Sequence, residues 1–222
     1  MNRESTAFDE DVATAYEAWY DTPKGKRADA LEKAALYRLL QRFSDAHSVL
    51  EVGSGTGHFT RWLDSKGLAA VGVDLSTAML KQARTPDASI WVQGDAHRLP
   101  FGEGAFDLVA FITTLEFLSR PDEALREGMR VARQGLLLGV LNRWSPLGIW
   151  RRLEALFQAS IYRQAHFYNI NELKRLLRSV AGTHSQIVWE TTLRPVGWPN
   201  WIPNGRCGGF VAMALLELRE HQ

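Results

Sequence analysis

A glycine-rich turn between two apolar runs constrains this chain more than any other feature. The run Val49-Leu-Glu-Val52 continues into Gly53-Ser-Gly-Thr-Gly57, and a second apolar run ends at Asp74. Glycine adopts positive φ and lets a backbone approach a ligand closely. An acid about twenty residues beyond such a turn, at the end of the next strand, can accept hydrogen bonds from the hydroxyls of a ribose. The pattern therefore predicts a nucleoside-containing cofactor at the C-terminal edge of a parallel sheet.

The spacing of the glycines distinguishes between two kinds of cofactor. The dinucleotide fingerprint is G-x-G-x-x-G, whose third glycine lets helix and strand pack closely. His58 stands where that third glycine belongs, so the pattern from Glu51 to Gly57 is E-x-G-x-G-x-G. This spacing fits a dinucleotide poorly.

Four segments resemble motifs of the class I S-adenosylmethionine-dependent methyltransferases. The segment Glu51–Gly57 resembles their first motif, Asp74 their ribose-binding acid, Gly94-Asp-Ala96 their third element and Phe106-Asp-Leu-Val109 their fourth strand. The segments follow the order of the family, and the resemblance covers residues 8–142. It is closest to the small-molecule enzymes known as methyltransferase type 11. The resemblance implies S-adenosyl-L-methionine as cofactor and a small-molecule methyl acceptor as partner.

The resemblance also implies which residues bind the cofactor. The glycine loop is expected to meet the amino-acid end and the sugar, Glu51 the amino group, and Asp95 the adenine amino group. Tyr20 belongs to an N-terminal segment that similar enzymes fold over the cofactor, and Lys26 or Arg27 is expected to pair with its carboxylate. The predicted set is Glu51, Gly53, Ser54, Gly55, Thr56, Gly57, Asp74, Leu75, Met79, Gly94, Asp95, Ala96, Thr113 and Tyr20.

Each of these assignments has a structural alternative. The glycines could form a tight strand-to-helix turn that binds nothing. Asp74 could cap the helix that follows it, and Asp95 could close a turn after a strand. Leu75 and Met79 could be core residues, and Tyr20 could lie on the buried face of a helix.

Two residues are candidates for acid–base chemistry at the acceptor. Glu116 could orient a polar acceptor or take its proton, or it could stabilise a helix start through the macrodipole. His166 lies in Tyr162-Arg-Gln-Ala-His-Phe-Tyr168, and imidazole titrates near neutral pH, although a lone histidine is more often structural. Many similar enzymes have a histidine pair near Glu116 that this chain lacks. Trp198-Pro-Asn-Trp201 could form an aromatic wall of the acceptor pocket or pack as a loop.

The composition and charge of the chain argue against several other classes of protein and binding site. The net charge of +1 argues against a general nucleic-acid binder. The single cysteine, Cys207, excludes an intrachain disulfide and a cysteine metal cluster, and no His/Asp/Glu spacing indicates a metal site. No apolar run approaches the ~18 residues of a membrane span, and Met1-Asn-Arg-Glu-Ser-Thr6 lacks the apolar core of a signal peptide. We therefore expect a cytoplasmic protein without a metal, and the oligomeric state stays open.

Alternating strand and helix patterns predict the fold class. Apolar strands with little polar alternation are typical of a parallel sheet that helices cover on both faces. The family resemblance adds an antiparallel C-terminal hairpin, for which Gln186–Thr191 and Gly209–Leu215 are the candidates. We predict an α/β, Rossmann-like, seven-stranded and mostly parallel sheet. A single domain would span residues 1–222, with a helical lid at 1–45, a cofactor-binding core at 46–141, a helical substrate insert at 142–185 and the hairpin at 186–222.

Three functional classes are compatible with the sequence. In the leading one, an O, N, S or C atom of the acceptor attacks the methyl carbon in line, and proximity supplies much of the rate. The second is a non-catalytic S-adenosylmethionine-binding sensor or partner subunit. The third is a nucleotide-dependent oxidoreductase on a similar sheet, and the spacing at His58 counts against it.

Overall fold

The computed structural model describes residues 8–84, 90–142, 165–182, 184–192 and 209–217. Six helices and seven strands are named here in chain order. They are α1 (Glu10–Asp21), α2 (Pro23–Leu40), β1 (Ser48–Val52), α3 (His58–Asp64), β2 (Ala69–Asp74), α4 (Thr77–Ala83), β3 (Ile90–Gln93), β4 (Phe106–Ile112), α5 (Pro121–Val131), β5 (Ala132–Leu141), α6 (Ile170–Val180), β6 (Ser185–Thr192) and β7 (Phe210–Glu217). The predicted Trp198–Trp201 wall and Tyr162 lie outside the described residues.

The seven strands form one mixed sheet in the order β3-β2-β1-β4-β5-β7-β6. Strands β1 to β5 pair in parallel, whereas β7 runs antiparallel to both of its neighbours, β5 and β6. The predicted fold class is thereby confirmed, including the antiparallel pairing of the last two strands.

Helices cover both faces of this sheet because neighbouring residues of each strand point to opposite sides. In β1, Leu50 and Val52 belong to a buried cluster with residues of α5 and α6. Val49, between Ser48 and Leu50, belongs to a second cluster that contains residues of α2 and α3. The sheet is therefore apolar on both faces, as the unbroken hydrophobic strands predict.

One predicted helix boundary is wrong. In the sequence, Thr22-Pro-Lys-Gly25 predicts a break between two helices, the second of which would span Ala28–Phe43. Instead, Thr22 ends α1 and caps α2: its hydroxyl accepts a hydrogen bond from the Gly25 amide (3.0 Å), and Pro23 fills the first helical position. Proline is well tolerated there because its missing N–H needs no partner. The break is thus reduced to a single junction residue.

The strand order determines where a ligand can bind. The chain leaves β1 toward β2 and β3 on one side and returns to β4 on the other side, so the order reverses between β1 and β4. Open α/β sheets bind ligands beyond the carboxyl ends of the strands at such a reversal. Gly53, Asp74, Gly94 and Thr113 all lie at that edge.

No helix within the described ranges is long and apolar enough to cross a membrane.

The pairing of β5 with β7 requires a glycine at position 135. Gly135 has φ +143°, and a Cβ atom added there would lie 1.9 Å from the carbonyl oxygen of Leu215. This φ lies in a region that only glycine populates readily. We therefore expect Gly135→Ala to lower the free energy of unfolding by about 2 kcal/mol or more, through strain and overpacking. Urea denaturation measures this loss.

The matched control is Gly102→Ala. A Cβ atom at Gly102 meets no other atom within 4 Å, so this variant should unfold like the parent protein. Equal midpoints for the two variants would contradict the described register of β5 and β7.

Candidate cofactor site

A cavity opens at the carboxyl edge of the strands, where the order reverses. Most of the predicted cofactor-binding residues line it. They are Glu51, Gly53, Ser54, Gly55, Asp74, Leu75, Met79, Gly94, Asp95, Ala96 and Thr113. The structure thus brings together residues from the ends of four parallel strands, which are scattered between positions 51 and 113 of the sequence.

The glycine loop reaches the cavity by turning back onto β2. The amides of Gly53 and Ser54 both donate to the carbonyl of Val73, at 2.8 and 3.0 Å. Gly53 has φ +71°, and a Cβ atom there would lie 2.3 Å from the side chain of Thr114. Only glycine therefore allows the loop to pass between β2 and the segment that follows β4.

Asp74 is held between the glycine loop and the start of α4. Its Oδ2 accepts from the amide of Gly55 and its Oδ1 from the amide of Ser76, both at 2.8 Å. Burial raises the pKa of Asp74, and the hydrogen bonds from these amides oppose that rise. Ser76, rather than Asp74, caps α4 through the amide of Met79. The helix-capping alternative for Asp74 therefore does not account for its position on the cavity.

Glu51 is a buried carboxylate at the end of β1, with only 1% of its surface exposed. The hydroxyl of Thr60 donates a short hydrogen bond to its Oε2. Burial raises the pKa of Glu51 to about 8, although the Thr60 hydrogen bond opposes that rise, and the nearby charge of Asp74 acts in the same direction as burial. A cation in the cavity would favour the ionised form of this side chain.

Asp95 is oriented by a residue that the sequence analysis did not single out. Its Oδ1 accepts from the backbone amide of His97 at 2.9 Å and lies 2.7 Å from Nδ1 of the same residue. Partial burial raises the pKa of Asp95, but the hydrogen bonds from His97 outweigh it and hold the pKa below its usual value. The carboxylate is therefore ionised and fixed in direction where it lines the cavity.

Thr113 has a strained backbone at the end of β4. Its φ of +54° is the only positive value of a non-glycine residue among those the structure describes. The amide of Thr113 donates to the carbonyl of Gly139 at 2.7 Å, which holds this conformation. Such strain is often found at functional sites.

The N-terminal segment closes one side of the cavity through Phe8, just before α1, and Tyr16 of α1, whereas Tyr20 does not line it. Phe8 packs edge to face against Phe117, with 5.1 Å between the ring centroids. The hydroxyl of Tyr20 lies 2.9 Å from that of Tyr16, and its ring stacks on His58. Tyr20 therefore supports the wall from behind, while Tyr16 forms the wall itself.

Two further predicted residues lie behind the glycine loop. Thr56 is buried, and its carbonyl accepts from Nη1 of Arg61 at 3.0 Å. Gly57 faces the ring of Trp91 closely enough to exclude a side chain. Neither residue lines the cavity. They shape the loop, and their predicted contact with the cofactor gains no support from this geometry.

Glu116 also does not line the cavity, although Thr114, Phe117 and Leu118 do. The short helix Leu115–Phe117 directs its side chain inward, where it is 1% exposed. There Oε1 accepts from the amide of Leu141 at 2.6 Å, which ties this turn to the end of β5. The described geometry therefore gives Glu116 a structural position rather than the expected position facing the acceptor.

His166 lies outside the cavity as well. Its side chain is half exposed, and its Nε2 lies 2.6 Å from Oε1 of Glu172 in the first turn of α6. The rings of His166 and Tyr168 meet edge to face, with 4.7 Å between their centroids. Neither ring lines the cavity, although the hydroxyl of Tyr168 donates to the carbonyl of Leu115, just after β4.

The expected cations at the α1–α2 junction do not line the cavity either. Lys26 pairs with Asp21 at 3.8 Å, and both side chains are exposed.

His58 lines the cavity instead. In the sequence, the position of His58 in the glycine pattern indicates only a poor fit to a dinucleotide. Among the described residues, no group of three or more His, Cys, Asp and Glu side chains is placed to hold a metal ion.

Several known proteins are similar to this chain in sequence. The demethylmenaquinone methyltransferase of Renibacterium salmoninarum is 38% identical over 171 residues, which cover 74% of this chain and 72% of that protein. An uncharacterised protein of Mycobacterium tuberculosis is 35% identical over 167 residues. The chain spans only 56% of the length of that mycobacterial protein.

A solved structure with the same fold comes from Thermotoga maritima, described as a possible histamine N-methyltransferase. It superposes with a TM-score of 0.77 and 27% identity over 97% of this chain and 100% of that one. Residues 50–138 match the family model described as a methyltransferase domain. With the cavity and its motifs, these similarities show that the chain belongs to this family of S-adenosylmethionine-dependent methyltransferases.

Proposed function

We propose that this protein transfers a methyl group from S-adenosyl-L-methionine to a small-molecule acceptor by in-line displacement. The observation that carries the proposal is the convergence of eleven predicted cofactor-binding residues on one cavity at the strand reversal. When bound, the cofactor supplies an activated methyl group on a sulfonium. The predicted single domain, with α1 and α2 as its lid, remains part of the proposal.

The order of the strands gives the direction in which the cofactor lies. Asp95 follows β3, Asp74 ends β2, and Glu51 lies near the end of β1, which is the next strand in the sheet. Neighbouring strands are about 4.8 Å apart, so these carboxylates form a row across the edge. We assign the adenine to Asp95, the ribose to Asp74 and the amino-acid end to the neighbourhood of Glu51.

Asp95 is ionised at the cavity wall, and a cation bound there would also favour the ionised forms of Asp74 and Glu51, so the cavity suits a cationic ligand. Because Glu116 and His166 do not line the cavity, alignment of donor and acceptor carries more of the rate than proton transfer through either residue. Well-oriented reactants can gain roughly 7–11 kcal/mol from proximity alone.

Apolar side chains form part of the cavity wall, among them Phe8, Ile112, Phe117 and Leu118. Several relatives are demethylmenaquinone methyltransferases. We therefore propose an acceptor with an apolar ring.

We also propose a cytoplasmic location. The single cysteine is consistent with that location.

Turnover of labelled cofactor tests the proposed activity. The protein should convert S-adenosyl-L-methionine to S-adenosylhomocysteine in the presence of a suitable acceptor from a panel that includes reduced demethylmenaquinone analogues. Tight binding of S-adenosylhomocysteine without turnover on any acceptor would favour the non-catalytic alternative.

Replacing Asp74 tests the ribose assignment. Asp74→Asn should raise the Kd for S-adenosylhomocysteine at least tenfold, because a hydrogen bond to a charged group contributes about 1.5–3 kcal/mol. Isothermal titration measures the change. Asp64→Asn, at an exposed acid that ends α3, is the matched control and should bind like the parent. Unchanged affinity in Asp74→Asn would overturn the assignment.

The buried carboxyl of Glu51 predicts a pH-dependent stability. The pKa of this carboxyl is 4.5 in the unfolded chain, whereas burial raises the pKa to about 8 in the folded protein. Between these values the folded state binds more protons, so the free energy of unfolding falls as the pH rises. Glu51→Gln cannot ionise and should reduce this decline in the cofactor-free protein.

Thermal unfolding midpoints between about pH 5 and pH 8.5 measure this effect. Glu103→Gln, at an exposed position, serves as the control and should keep the slope of the parent protein. The same slope in Glu51→Gln and in the parent would show that Glu51 does not retain its proton on folding.

A further inference from the structure

We propose that His58 binds the carboxylate at the amino-acid end of the cofactor and that Asp29, on α2, positions the His58 ring for this contact. The inference rests on the proposed cofactor site, and it assigns a role to two residues outside the motifs that indicated that site.

The charges of the cavity carry the argument. Its described lining includes three acids, Glu51, Asp74 and Asp95, and none of them in its ionised form favours the carboxylate of the ligand. Among the same lining residues, His58 is the only Lys, Arg or His side chain. The cofactor carries an anionic carboxylate, and an anion is favoured beside a group that can hold positive charge.

The position of His58 matches the expected end of the ligand. His58 begins α3 directly after the glycine loop that leaves β1, whereas Asp95 follows β3 at the other end of the row. With the adenine at Asp95 and the ribose at Asp74, the amino-acid end extends toward β1. His58 and Tyr16 line the cavity together with the loop residues there.

Two side chains from α2 hold the imidazole. Nε2 of His58 lies 2.7 Å from Oδ1 of Asp29 and 2.9 Å from Nζ of Lys33. Both contacts cannot be hydrogen bonds of Nε2, since a carboxylate only accepts and an ammonium only donates. Lys33 also donates to Oδ2 of Asp29 at 2.9 Å, so we assign the Nε2 hydrogen to Asp29. Nδ1 is then the nitrogen through which a protonated ring donates to an anion.

The ring is also fixed from its face by α1. Tyr20 stacks on His58 with 3.7 Å between the centroids and 15° between the planes. The hydroxyl of Tyr20 meets that of Tyr16, which lines the cavity. Both N-terminal helices therefore contact one imidazole at the cavity wall.

A pair of ligands tests the proposal because they differ at one end. S-adenosylhomocysteine carries the amino-acid end, whereas 5′-methylthioadenosine keeps the adenosine and lacks the carboxylate. His58→Gln should raise the Kd for S-adenosylhomocysteine roughly tenfold or more, in line with a lost charged hydrogen bond. The Kd for 5′-methylthioadenosine should stay within about twofold. Isothermal titration with the full chain measures both values.

Two further variants complete the test. Asp29→Asn should raise the Kd for S-adenosylhomocysteine by a smaller factor and leave the Kd for 5′-methylthioadenosine within about twofold, and it tests the proposal independently if His58→Gln does not fold. His47→Gln, at an exposed histidine just before β1, is the matched control and should change neither affinity.

The outcomes separate this inference from the proposed function. Binding of neither ligand to the parent protein would overturn the proposed cofactor site and this inference with it. Binding of both ligands, with equal losses or no loss in His58→Gln, would overturn the role of His58 and leave the cofactor site standing. A loss confined to S-adenosylhomocysteine supports the assignment.

Discussion

The return of the glycine loop onto the end of β2 is the constraint on which the site depends. Two amides of the loop share the carbonyl of Val73, and a third, from Gly55, meets the carboxylate of Asp74. A side chain at Gly53 would collide with Thr114 and push β1, β2 and the end of β4 apart. The same contacts that close the turn therefore hold the cavity residues of three strands in register.

Burial of the acids that line this cavity is unfavourable without a ligand. Desolvation raises the pKa of both Glu51 and Asp74, which means that their ionised forms are disfavoured in the empty site. A sulfonium and an ammonium would compensate that cost. The protein thus holds a charge distribution that is complementary to its proposed cofactor, at some expense of stability.

The sequence predicted best those features that depend on local pattern and strand position. The strands, the glycine loop and Asp74 follow from apolar runs and spacing, because the carboxyl ends of parallel strands meet at one edge. Asp95 follows from the family resemblance. Apolar runs and spacing do not predict which way a side chain points in the segment that follows a strand. Glu116 lies one residue from cavity-lining Phe117, yet a short helical turn points it at the amide of Leu141.

Contacts between segments far apart in the chain could not be predicted from the sequence either. Tyr16 and Tyr20 both fit the buried face of a helix, and only packing against His58 decides which ring lines the cavity. Asp29 reaches His58 across 29 positions of the chain. The predicted Lys26 points to solvent because the junction at Thr22 lets α2 begin earlier than expected.

A crystal structure with S-adenosylhomocysteine tests the central claim most directly, since that claim concerns the direction of the ligand across the sheet edge. We predict the adenine beside Asp95, the ribose hydroxyls on Asp74 and the carboxylate at His58. A ligand bound in the opposite direction, or outside the cavity between β1 and β4, would contradict the account.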